Sequence, residues 1–146
     1  MNNNRSNWDS HWGEKSRRRY WQEPADEIIR LRDSLDRQKM QDVLDLGCGI
    51  GRHAILFAEA GFVVTAVDDS QQALNILRKE ASERQVTITC IKSSYTKDIF
   101  TENSFDLVIA YNVLYHGYRE NMDRSIQLVY RQTGRKILFH LPDTAG

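Results

Sequence analysis

Asp45-Leu46-Gly47-Cys48-Gly49-Ile50-Gly51 sets a carboxylate two residues before a run of alternating glycines, directly after the apolar pair Val43-Leu44. Glycines at a strand-to-helix turn let backbone approach a ligand where a Cβ would collide. The spacing differs from the Gly-x-Gly-x-x-Gly of dinucleotide loops, whose third glycine would fall at Arg52. Those loops present a helix amino terminus to an anionic pyrophosphate. A carboxylate beside the loop would repel such a ligand and suits a cationic one. A second acid, Asp68, follows the run Phe62 to Val67, where a carboxylate can accept hydrogen bonds from both hydroxyls of a ribose. Asp68 alone does not separate ligand classes; Asp45 and the loop spacing do. Each acid also has a plainer reading, Asp45 as a local cap of the loop and Asp68 as a turn residue leading into a helix.

Further along, Tyr111 and Asn112 follow an apolar run at the edge where open α/β sheets bind ligands. Tyr115 and His116 have the types to contact a substrate or act as a general base, while the simpler reading of His116 is a histidine packed at a helix start. His11, His53 and His140 share no ligand spacing, so no metal site is expected. Cys48, inside the loop, offers its backbone; Cys90 reads as a core strand residue. The two cysteines form no disulfide or metal pattern, and residues 1–5 lack the apolar core of a signal peptide. A reduced, cytoplasmic protein is the expectation. Twenty basic and 20 acidic side chains give a net charge of zero, which argues against broad binding to nucleic acid or anionic membranes. The apolar runs are too short to span a bilayer.

The elements that must position these residues follow from periodicity. Pro24 suits a first helical turn, and Ile28, Leu31 and Leu35 then recur on one face, predicting a helix from about 24 to 38. Residues 42–46 read as a strand, 52–60 as a helix packed on a sheet and ended by Gly61, and 62–67 as a strand buried on both faces. Ser70 can cap a helix carrying Leu74, Leu77 and Ala81. Strands follow at 86–91, 105–110 and 136–141, with a helix marked by Met122, Ile126 and Val129 before the last. Such alternation implies a parallel sheet with helices on both faces.

Residues 43–53 resemble motif I of class I S-adenosylmethionine (SAM)-dependent methyltransferases. Val64-Thr65-Ala66-Val67-Asp68-Asp69-Ser70 is similar to their second motif, Ser104 to Ala110 to their fourth-strand motif, and Val113-Leu114-Tyr115-His116 to the segment after it. The resemblance covers roughly residues 40–141. It implies a doubly wound, Rossmann-like α/β fold of strand order 3-2-1-4-5, lacking the usual sixth and seventh strands, with SAM across the carboxyl ends of strands 1, 2 and 4. It implies cofactor contacts from Asp45, Gly47, Cys48, Gly49, Gly51, Asp68, Asp69 and Tyr111. Ser94 stands where many relatives carry an adenine-binding acid, so Ser93, Ser94 and Tyr95 line the adenine pocket on this reading. Tyr115 and His116 are the candidate catalytic residues. Residues 1–23, with Arg17-Arg18-Arg19-Tyr20-Trp21, read as a solvated face or, as in similar methyltransferases, as a lid or arm over the domain of residues 24–146. The implied activity is methyl transfer to a small molecule; the alternative is a degenerate SAM-binding domain acting through binding or assembly. With no sixth or seventh strand, residues 136–141 would expose a strand edge able to pair with a second copy as a homodimer.

Overall fold

The computed structural model describes residues 23–93 and 104–111, together with the backbone of a strand at 133–140. The elements are α1 (Asp26–Ser34), β1 (Asp42–Leu46), α2 (Arg52–Glu59), β2 (Val63–Asp68), α3 (Gln71–Glu83), β3 (Ile88–Lys92), β4 (Phe105–Tyr111) and β5 (Thr133–His140). The strands form one five-stranded sheet in the order β3-β2-β1-β4-β5, and every neighbouring pair is parallel. Strand order and parallelism agree with the expectation from sequence. Asp45 pairs with Ala66 on one side and Ile109 on the other, so β1 is central and its carboxyl end lies at the point where the chain switches sides of the sheet. Ligands of open α/β sheets bind in the crevice at that point.

Successive residues of the central strands alternate between two cores. Val43, Val64, Ala66, Leu107 and Ile109 face the larger one, with Ile28 of α1, Ala54, Ile55 and Phe57 of α2, and Leu74, Leu77 and Ala81 of α3. Leu44, Leu46, Val67, Phe105 and Val108 pack on the opposite face. Two right-handed crossovers running in one direction place their helices on one face, and the described helices all pack on that larger core. The helix expected around Met122, Ile126 and Val129 lies outside the described residues.

Several boundaries differ from the sequence reading. The first helix ends at Ser34 rather than near Gln38. Asp36 sets up a turn there, its carboxylate accepting from the Gln38 amide at 3.0 Å and its carbonyl from Lys39 and Met40, a local competitor to helix. Strand β2 starts at Val63, which is exposed rather than buried on both faces; Phe62 instead sets its ring edge-on against Phe57 at 5.2 Å. Strand β3 starts at Ile88 because the Val86 amide is committed to the Ala81 carbonyl at the end of α3. Strand β4 continues one residue further, to Tyr111, and β5 begins at Thr133, three residues before Lys136. Ser70 caps α3 as expected, its hydroxyl accepting from the Ala73 amide at 3.1 Å. At the amino-terminal edge of the sheet, one Asp106 carboxylate oxygen accepts from the amides of Gln41 (2.8 Å) and Asp42 (3.0 Å). That double acceptance fixes the start of β1 against β4.

Candidate cofactor site

The glycine loop is tied down before any ligand is considered. The amides of Gly47 and Cys48 both donate to the Val67 carbonyl, at 2.7 and 2.9 Å, and the Gly51 amide to the Cys48 carbonyl at 3.0 Å. Gly47, Gly49 and Gly51 have φ of 71°, 59° and 87°, the left-handed region that other residues seldom occupy. At Gly51 a Cβ would also run into the Leu77 side chain of α3. Gly51→Ala is therefore expected to destabilise the fold by about 1–3 kcal/mol, read as a lowered urea midpoint with an unchanged m-value. An unchanged midpoint would mean that the junction of loop and α2 relaxes freely.

The two acids flank this loop. Asp68 partners the loop itself: one carboxylate oxygen accepts from the Gly49 amide at 2.7 Å and the other from the Ser70 amide at 2.9 Å. Burial raises its pKa above the ordinary carboxylate value, against the pull of those two amides. Asp45 sits deeper, at 3 % exposure. Burial and then the Asp68 charge push its pKa to about 7, while Arg52 and the nearby Ala54 amide in the first turn of α2 pull it down. Its Oδ2 is buried with no hydrogen-bond partner among the described residues. An orphaned carboxylate oxygen is costly in a folded protein.

Asp69 occupies the bend after β2, partly exposed. The Cys48 thiol is buried, donates to the Gly49 carbonyl at 3.3 Å, and is pushed well above its ordinary pKa by burial, which suits a structural rather than a nucleophilic cysteine. Tyr111 is not in the loop after the fourth strand but is the last residue of β4; its hydroxyl donates to Glu27 Oε1 at 3.0 Å. Ser94, Tyr95, Asn112, Tyr115 and His116 lie outside the described residues, as do Arg17 to Trp21 of the expected lid or arm. Among the described residues no cluster of His, Cys, Asp and Glu could hold a metal ion, and no helix is long and apolar enough to cross a membrane.

The structure adds residues that sequence reasoning passed over. His53 is buried at 3 % exposure. Its Nε2 accepts from the Ala25 amide at 3.2 Å, and its ring stands edge-to-face on Tyr111 at 5.0 Å. The Arg52 guanidinium lies over the Tyr111 ring, 5.3 Å from its centroid, and donates to the Glu23 carbonyl at 3.1 Å. The available signal was position: Arg52 and His53 open the helix directly behind the last glycine.

An open parallel sheet with a glycine loop and two acids at its switch point is an arrangement suited to a nucleoside-containing, cationic ligand. The family profile described as "Methyltransferase domain" matches residues 43–134, more than half of the chain, and the chain belongs to the class I SAM-dependent methyltransferase family. Over 66 residues it is 39% identical to the cypemycin N-terminal methyltransferase of Streptomyces sp, an alignment covering 45% of this chain and 26% of that protein. Over 75 residues it is 33% identical to the ubiquinone biosynthesis O-methyltransferase of Rickettsia akari, covering 51% and 30%. The chain thus spans less than a third of the length of either relative. In fold it is similar to magnesium protoporphyrin IX methyltransferase from Synechocystis, solved with bound SAH, with a TM-score of 0.75 at 19% identity, covering 92% of this chain and 68% of that one.

The residues present fit the family's cofactor, SAM. The methionine end of SAM carries an ammonium beside its carboxylate, and that ammonium would suit the unpaired Asp45 oxygen. Ribose hydroxyls would suit Asp68, whose oxygens keep lone-pair capacity beyond the backbone amides they accept. The left-handed glycines hold the loop in a backbone conformation that residues with a Cβ seldom adopt.

Proposed function

We propose that the protein transfers a methyl group from SAM to a small-molecule acceptor. The observation that carries this reading is the buried, partnerless Oδ2 of Asp45 beneath a loop of left-handed glycines at the sheet's switch point. When bound, SAM supplies an activated methyl on a cationic sulfur. On this reading Asp45 holds the ammonium, Asp68 the ribose, and Asp69, Ser94 and Tyr95 the adenine side, while Gly47, Cys48, Gly49 and Gly51 contribute backbone. Tyr111, at the carboxyl end of β4, contributes to the wall between cofactor and acceptor. Tyr115 and His116 follow it in sequence and are assigned to the acceptor side, His116 as a base where the acceptor must lose a proton. Much of the rate enhancement comes from holding nucleophile and methyl in line, so a dedicated catalytic pair is not required.

Support for a small acceptor comes from the ubiquinone-biosynthesis relative, and the cypemycin relative keeps an amine acceptor in view. The test is SAM binding by calorimetry, followed by release of S-adenosylhomocysteine over a panel of hydroxyl and amine acceptors. Binding with no turnover on any acceptor would favour a non-catalytic SAM-binding domain; no binding would reject both. A homodimer through the outer edge of β5 belongs to the same proposal, since no strand pairs with that edge among the described residues. A monomer by light scattering at the concentration of the assay would reject the dimer.

A further inference from the structure

Three contacts join the approach to α1 with the cofactor end of the sheet. Arg52 Nη1 donates to the Glu23 carbonyl, His53 Nε2 accepts from the Ala25 amide, and the Tyr111 hydroxyl donates to Glu27. On one side the anchors come from a five-residue stretch, 23–27, where the chain enters α1. On the other they come from the first two residues after the glycine loop and the last residue of β4. Ile109 of β4 pairs with Asp45, so Tyr111, two residues on, stands level with the start of the glycine loop. The set is also internally packed, with His53 against the edge of the Tyr111 ring and Arg52 over its face.

We infer that His53 is a positioning residue for cofactor binding: its imidazole holds the Ala25 amide so that the start of α1 forms a fixed wall at the carboxyl ends of β1 and β4. The inference rests on the reading of this end of the sheet as the SAM site. His53 does not touch the cofactor; it acts through Ala25 and Tyr111. Its buried ring is suited to the task because burial, and then the Arg52 charge, lower its pKa to about 3. The imidazole therefore stays neutral and keeps a lone pair to accept with. Ala25 needs that acceptor. It stands at the amino-terminal cap of α1, where no side chain serves the helix and where an amide left unpaired in a partly buried setting is destabilising. With the bond removed, the approach to α1 loses its central anchor, and SAM must order it at the moment of binding, which lowers affinity.

The test is SAM affinity by calorimetry on the full chain, with far-UV circular dichroism to establish folding. His53→Phe keeps an aromatic ring against Tyr111 and removes the acceptor; Ala25→Pro removes the donor while the φ of −70° at Ala25 already suits proline. Each is expected to weaken SAM binding by about tenfold, the loss of one hydrogen bond together with the order it imposes. The double variant is expected to be no weaker than either single one, because both remove the same bond. His53→Gln, which restores an acceptor, should recover most of the loss, a rescue that simple core filling does not predict. Folded His53→Phe and Ala25→Pro proteins with wild-type affinity, or losses that simply add in the double variant, would overturn the inference while leaving SAM binding intact. Should His53→Phe fail to fold, Ala25→Pro and His53→Gln decide it. Wild-type protein that binds no SAM overturns the functional reading, and this inference with it.

Discussion

Asp68→Ala is expected to weaken SAM binding by about 1.5–3 kcal/mol, the usual loss for hydrogen bonds to a charged group, or roughly 10- to 150-fold. The structure places the effect toward the upper end, because Asp68 has two tasks. On the functional reading its oxygens meet the ribose. They also accept from the Gly49 amide at 2.7 Å and the Ser70 amide at 2.9 Å, so alanine frees the middle of the glycine loop and the turn into α3 at once. The α3 cap itself survives, since it depends on the Ser70 hydroxyl and the Ala73 amide. Asp68→Asn separates the two tasks in part. One amide keeps its carbonyl acceptor, while the other faces a donor, so an intermediate loss is expected. Calorimetric titration of both variants, after the far-UV spectrum establishes an intact fold, measures the effect. A folded Asp68→Ala protein with wild-type affinity would take Asp68 out of the cofactor site.

The sheet was legible in the sequence because each central strand is apolar on both faces and bounded by a strong local signal. Glycines follow β1, Asp68 closes β2, and Ser70 caps α3, so the order of elements and the position of the loop could be read directly. The ends of elements were harder. Whether α1 stops at Ser34 or Gln38 depends on the Asp36 turn, and the start of β3 depends on the Val86 amide reaching back to Ala81. Both are decided by single hydrogen bonds that leave no periodic trace. The places of the two acids were legible because each lies at or one residue before the end of an apolar strand, Asp45 in β1 and Asp68 in β2. His53 was not. A histidine outside any metal spacing gives no sequence signal for accepting an amide 28 residues earlier in the chain. Glu27 and Tyr111 are likewise 84 residues apart and meet only through the fold. For Asp45 the strand position was legible, but its burial and the unpaired Oδ2 among the described residues appear only in the fold.

Asp45→Asn should make the ligand-free protein more stable and a poorer binder of SAM. Burial, and then the Asp68 charge, push the Asp45 pKa to about 7 from 3.8, so the folded state holds a proton that the unfolded chain has already released. Between about pH 4 and pH 7 the folded state therefore binds more protons than the unfolded one, and stability falls as pH rises. Above pH 7 the slope ends and the whole cost of an ionised, buried carboxylate is present. Asparagine has no proton to lose. The advantage of the variant should thus be absent near pH 4, grow toward pH 7 and stay level above it. Its size should be about 1–3 kcal/mol, less than the full ionisation cost because the new amide leaves a buried donor without a partner. Arg52 reduces the cost in the wild type as well, since its charge favours the ionised form. Asp68 also has a raised pKa, but it is present in both proteins and largely cancels in the difference. SAM affinity should change the opposite way. On the proposed reading the ionised form holds the ammonium, so wild-type binding should strengthen from pH 5.5 to 7 with release of a proton. The variant should bind at least about tenfold more weakly at pH 7, with no such dependence. Urea midpoints of both proteins from pH 4 to 8, and calorimetry in two buffers of different ionisation enthalpy, measure the two halves. A variant less stable than wild type at pH 8 would show that Asp45 is already well paired in the free protein. A variant that keeps both its SAM affinity and its proton release would show that the ammonium is held elsewhere.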